Sequence, residues 1–96
     1  MGIITFVKRD FRWNAWNVEH IAEHGVSPME AEFIVNHARS PYPEAKGDRK
    51  FMVAGQTWNG SYLRVAFVID PDGTLFVIHA QPLTEQDKRI YRRRKR

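Results

Sequence analysis

The sequence predicts one α+β domain over residues 1–96, ordered β-α-α-β-β-β-α around an antiparallel sheet. Three observations carry that prediction. Two well-marked helix starts occupy the N-terminal third, at Asn14 and Ser27. After "SPYPEAKGD" the apolar spacing changes from helical to a period of two. The runs that follow are separated by "WNGS" and "DPDG", whose Asn-Gly and Asp-Gly pairs favour tight hairpins.

Taken in order, "IITFVKR" (3–9) reads as a short opening strand. "RWNAWNVEHIAEHG" reads as a bounded helix, with Asn14 as its N-cap and Trp13 and Val18 spaced for a hydrophobic staple. Gly25 stands where a left-handed residue ends it. In "SPMEAEFIVNHA" Ser27 caps, Pro28 takes the first helical position and Glu30 completes a capping box. Ala31, Ile34, Val35 and Ala38 then form one apolar face. "SPYPEAKGD" reads as a loop, and "KFMVAGQT", "YLRVAFVI" and "LFVIHAQ" as three strands. Pro82 closes the third, since it cannot donate to a ladder. Thr84, with Asp87 three residues later, caps a last, basic helix over about 84–94.

Composition narrows the function. Hydrophobic content of 43% indicates a packed domain, and no apolar run approaches the roughly 20 residues that cross a bilayer. The first ten residues are too quickly charged for a signal peptide, so a cytoplasmic protein with no membrane partner is expected. The absence of cysteine excludes disulfides and thiolate metal sites. The net charge of +4 is unevenly placed: residues 1–87 carry 11 acidic groups against 8 basic, whereas "KRIYRRRKR" (88–96) is seven-ninths Lys or Arg. Such a concentrated positive end is the footprint of a polyanion partner, against the plainer reading of a solvated tail.

"HIAEH" (20–24) has the H-x-x-E-H spacing of one class of zinc peptidase. Catalytic zinc needs a third protein ligand and an open position, and the zinc peptidases with this spacing are much larger proteins with a further acidic ligand on another helix. His24 precedes the terminating Gly25, where the helix dipole favours a histidine. It reads as a structural helix-end residue; no metal and no cofactor are expected.

Strand alternation offers a different site. Turning Phe51 and Val53, Leu63, Val65 and Phe67, and Phe76, Ile78 and Ala80 toward the first two helices leaves Lys50, Gln56, Arg64, His79 and Gln81 on the other face. A single bulge would spoil part of this arrangement. A last helix anchored at the edge of that face by Leu83, Ile90 and Tyr91 brings Lys88, Arg89, Arg92 and Arg93 nearby. A concave basic site with one imidazole and one phenol suits RNA cleavage by a ribose 2′-OH, which needs positioning, proton transfer and cations on the phosphoryl oxygens. His79 is the leading proton-transfer candidate, Arg64 a phosphate cation and Tyr91 a weaker catalytic candidate. Lys50, Lys88, Arg89, Arg92 and Arg93 are candidates to bind RNA. The plain alternatives are a strand histidine bonded to a neighbour and a tyrosine that packs.

"FRWNAWNVEHIAEHGVSPMEAE", the "HARSPYP" loop, the "VAGQT…NG" hairpin and "FVIHAQPLTEQDKRIYRRR", in that order, resemble the BrnT toxins of bacterial type II toxin–antitoxin systems over most of the chain. The last segment is the most specific. The resemblance implies a RelE-like fold, an RNA-cleaving activity that halts translation, and neutralisation by a BrnA-like antitoxin. That antitoxin carries a DNA-binding domain, so DNA is met only through it. Carried over by position are Arg64, His79, Lys88, Arg89, Tyr91 and Arg92; many relatives have arginine where this chain has Gln81. The competing expectations are a non-catalytic RNA- or ribosome-binding module, and a protein whose basic helix meets an acidic segment of a partner.

Overall fold

The computed structural model describes residues 9–94. It has three helices and a five-stranded mixed sheet: β1 (Phe11–Arg12), α1 (Ala15–Ala22), α2 (Pro28–Asn36), β2 (Glu44–Gly47), β3 (Lys50–Gln56), β4 (Tyr62–Ile69), β5 (Leu75–Pro82) and α3 (Glu85–Arg94). Strand order is β1-β5-β4-β3-β2. The strand expected over 3–9 lies, apart from Arg9, outside the described residues.

Both N-terminal helices begin as their sequences dictate. Asn14 accepts a hydrogen bond from the Asn17 amide, and the Asn17 side chain accepts one from Asn14, completing a reciprocal box. Ser27 and Glu30 do the same for α2, with Pro28 in the first turn. Gly25, at φ +74°, closes α1: its N–H donates to Ala22 and that of Val26 to Ile21, the bond pair of a Schellman motif. An alanine there must hold a left-handed backbone, which costs roughly 1–2 kcal/mol. Gly25→Ala is therefore expected to lower Tm by about 4–8 °C per kcal/mol lost. An unchanged thermal melt, followed by circular dichroism, would refute this.

α1 and α2 cover one face of the sheet. Ile21, Ala31, Ile34 and Val35 meet Val53, Leu63, Val65, Phe67, Leu75, Val77 and Ala80 in one core. Gly55 lets α2 approach closely, since a Cβ there would stand 3.3 Å from the Ile34 Cδ1. On the opposite face α3 is seated by a single buried residue, Tyr91, which packs with Ala54 and Leu83. Thr84 caps α3, its hydroxyl accepting from the Asp87 amide at 3.0 Å.

Three features differ from the sequence expectation. β2 falls within the segment read as a loop; it pairs antiparallel with β3 at Glu44↔Met52 and Ala45↔Phe51. It is an edge strand of largely exposed polar and small residues, so it shows no period-two signal. β1 pairs parallel with β5 at Phe11↔Leu75 and Arg12↔Phe76, so the sheet is mixed rather than antiparallel. Two residues are too few to carry a periodicity.

The third difference is a bulge. Ala66 stands opposite His79 but Phe67 opposite Val77, leaving Ile78 as the extra residue. Leu75 and Val77 therefore enter the helix-side core, not Phe76 and Ile78, and beyond the bulge Ala80 does so as expected. His79 and Gln81 keep the outward register of Ala66 and Arg64.

Candidate nucleic-acid interface

The outer face of β3 and β4, with α3 across it, carries two grooves; of the predicted site residues Arg64 lines one and Tyr91 the other, whereas Lys88, Arg89, Arg92 and Arg93 line neither. Arg64 stands on β4 between Ala54 and Gln81, its immediate ladder neighbours. It lines a groove of about 250 Å³ with Tyr42, Glu44, Lys46, Asp87 and Arg94 among its walls. The cations around it are largely engaged: Glu44 takes Lys46 at 3.5 Å and Arg94 at 3.6 Å. Burial works against the Glu44 carboxylate, but the charges of Lys46 and Arg94 outweigh it and hold that group below its ordinary range. Arg64 is half-buried and, among the described residues, forms no salt bridge. A partly desolvated cation without a carboxylate is a ready counter-charge for an anion.

Tyr91 is 9% exposed and packs near two other tyrosines, 6.3 Å from the Tyr42 ring and 6.0 Å edge-on to Tyr62. Burial, reinforced by Tyr42 and Tyr62 and opposed by Arg39, raises its pKa above the usual phenol value. At neutral pH it therefore keeps its proton and can donate a hydrogen bond. Tyr91 lines a second groove, of about 530 Å³, which meets the Arg64 groove along Tyr42 and Ala54.

The α3 cations divide by position. Lys88 lies 5.6 Å and Arg92 5.4 Å from the Tyr62 ring centre, so both stand over the same aromatic ring. Lys88 also pairs with Glu85 at 3.1 Å, a contact that lowers the Glu85 pKa. Arg89 and Arg93 are exposed and, among the described residues, carry no salt bridge. Lys50 is exposed opposite Val68, at the other end of β3 from Gln56, and lines neither groove.

His79 stands elsewhere. It is two residues along β5 from Gln81, but its ring turns to the α1 side. Because β1 pairs only as far as Phe76, α1 runs beside the rest of the β5 edge. The His79 ring lies 5.8 Å from His20, on α1, and 5.3 Å from His24, in the turn that ends it. His20 in turn stacks on Trp16, and Trp16 on Phe76, over which Arg12 sits at 4.1 Å. The two histidines of "HIAEH" thus meet a third imidazole, yet no three His, Asp or Glu side chains among the described residues are placed to hold a metal ion. His79 lines neither the Arg64 groove nor the Tyr91 groove.

Sequence reasoning missed His37, Arg39 and Tyr42, which line the Tyr91 groove from the C-cap of α2 and the loop that follows it. "HARSPYP" contained them, but only the tertiary fold brings that loop to α3. No helix among the described residues is long and apolar enough to cross a membrane. Comparison with models of known protein families, with curated proteins and with solved structures gives no match.

Proposed function

We propose that this chain is an RNA endonuclease of the BrnT toxin kind, with a RelE-like fold, which inhibits translation and is neutralised by a BrnA-like antitoxin. The observation that carries the reading is Arg64: a half-buried cation that forms no salt bridge among the described residues, in a groove that shares Tyr42 and Ala54 with that of the buried Tyr91, beneath a basic helix. RNA, free or on the ribosome, would lie against the outer sheet face and α3, where Lys88, Arg89, Arg92 and Arg93 meet its phosphates. The antitoxin would cover that same surface, and would be the only route to DNA.

The chemistry needs little machinery. The 2′-hydroxyl gives its proton to water and its oxygen attacks the adjacent phosphorus; the bond from phosphorus to the 5′-oxygen breaks and that oxygen takes up a proton, leaving a 2′,3′-cyclic phosphate and a 5′-hydroxyl. Arg64 would stabilise the charge that builds on the non-bridging oxygens, an effect worth about 10²–10³-fold for one well-placed donor. Tyr91, protonated at neutral pH, would donate to the phosphate or the departing oxygen.

The test is incubation of the purified protein with a single-stranded RNA in the presence of a chelator. New 5′-hydroxyl ends, lost when the nucleotide 5′ of the break is 2′-deoxy, are the expected result. Intact RNA, bound but never cut under induction in cells or in vitro, would leave a non-catalytic binding module. Binding itself should be salt-sensitive. With about three to five phosphates neutralised, affinity should fall roughly 20- to 100-fold between about 50 and 200 mM salt. A flat salt response would instead point to an acidic segment of a protein partner.

A further inference from the structure

The larger groove has a construction that phosphate binding does not explain. It runs between α2, the loop after it and residues 54–56 of β3, and holds about 530 Å³, within the range of about 300–1,000 Å³ typical of small-molecule sites. The Phe33 and His37 rings stack at 3.9 Å with planes 23° apart, both on the groove wall. Beside the groove rather than on its wall, Trp58 stands edge-on to Phe33 at 5.3 Å and is 55% exposed, an aromatic surface that the core does not use. Asn36, Gln56 and Arg39 are polar residues of its lining; the Asn36 Oδ1 accepts from the Arg9 N–H at 3.4 Å and the Gln56 Nε2 donates to the Gly60 carbonyl at 3.3 Å. Among the described residues, β2 pairs with β3 only as far as Met52, so the edge of Ala54–Gln56 has no strand beside it.

We propose that this groove is a stacking site for one unpaired RNA base, adjoining the Arg64 groove; the proposal rests on the reading of RNA as ligand. A base offers two π faces and an edge of mixed donors and acceptors. Stacked aromatics match the faces; of the two side-chain amides, the Asn36 Nδ2 would supply a donor and the Gln56 Oε1 an acceptor to the edge. Arg39 would meet the sugar–phosphate backbone at the groove mouth. Because the two grooves meet along Tyr42 and Ala54, a base held here brings a neighbouring phosphate toward Arg64. The site would therefore select single-stranded over duplex RNA, whose bases are already stacked.

The experiment compares two probes by fluorescence anisotropy: a 2′-O-methyl single strand, which cannot be cleaved, and the same sequence as a duplex. The protein is the full chain and its His37→Ala, Trp58→Ala double variant, both positions being exposed. Expected is a 10- to 100-fold loss of single-strand affinity, with duplex affinity unchanged. Equal losses on both probes, or none on either, overturn the stacking site. Unchanged binding would return the groove to the other use its open strand edge allows, the addition of an extended peptide. If the unaltered protein binds neither probe, the RNA reading itself falls. A thermal melt of the double variant, expected to match that of the unaltered chain, separates lost contacts from lost fold.

Discussion

Replacing Asn17 with alanine is expected to destabilise the protein more than any comparable polar truncation in it. Asn17 is fully buried, and its side chain makes three bonds. Nδ2 donates to the carbonyls of Arg12, at 3.2 Å, and Val77, at 3.1 Å, while Oδ1 accepts from the Asn14 N–H at 2.8 Å. One amide thus ties the start of α1 to the end of β1 and to the point on β5 where β1 ceases to pair. Alanine would leave carbonyls buried without a partner, a loss of about 1–3 kcal/mol for such groups. Loss of half the capping box adds to it, typically by about 1 kcal/mol. A fall of about 2–3 kcal/mol corresponds to roughly 10–20 °C in Tm for a domain of this size. Asn14→Ala, which removes only the exposed half of the box, should shift the melt by less than half as much. Equal shifts in the two variants would mean that Asn17 acts as a helix cap alone and does not hold the strand edge.

Asn17 also illustrates what was legible in the sequence. Features set within five or six residues were readable: the Ser27–Glu30 box, the left-handed Gly25, the turns at Asn59-Gly60 and Asp72-Gly73, and the Thr84 cap. Their geometry depends on neighbours in the chain. The faces of β3 and β4 were readable too, because alternation is uninterrupted in both. β5 was not, since a bulge at Ile78 changes no residue type and depends on how two strands meet. β1 and β2 were missed because they pair as edge strands too short or too polar to show a pattern.

The candidate site divides along the same line. Arg64 and the cations of α3 could be placed from period and charge alone. The company they keep could not: Tyr42 reaches both grooves, and Arg39 the Tyr91 groove, through a loop between α2 and β2, 22 or more residues earlier in the chain than Arg64. His79 keeps its expected register, but its ring finds the imidazoles of His20 on α1 and His24 in the turn after it. That contact exists only because the helix runs beside a strand edge left open by a two-residue partner.

Arg64→Ala and His79→Ala should therefore separate cleanly in a cleavage assay. Arg64→Ala is expected to reduce the rate by about 10²–10³-fold, the effect of removing one pre-placed donor to the phosphoryl oxygens. Its thermal melt should change little, because the side chain is half-exposed and holds no ion pair among the described residues. Tyr91→Phe keeps the ring that packs with Ala54 and Leu83 and removes only the hydroxyl. A fall of more than about 10-fold would assign the phenol a chemical part, since positioned proton donors contribute about 10²–10⁴-fold. His79→Ala, outside both grooves, is expected to keep the rate within about 5-fold, as a group not in reach of the reacting atoms should. The reverse pattern, with His79→Ala inactive and Arg64→Ala active, would move the reaction to the imidazole cluster at the α1 edge. That outcome would leave the outer face with RNA binding alone. The charge argument for α3 would survive it, because it depends on where the cations stand and not on which group moves the proton.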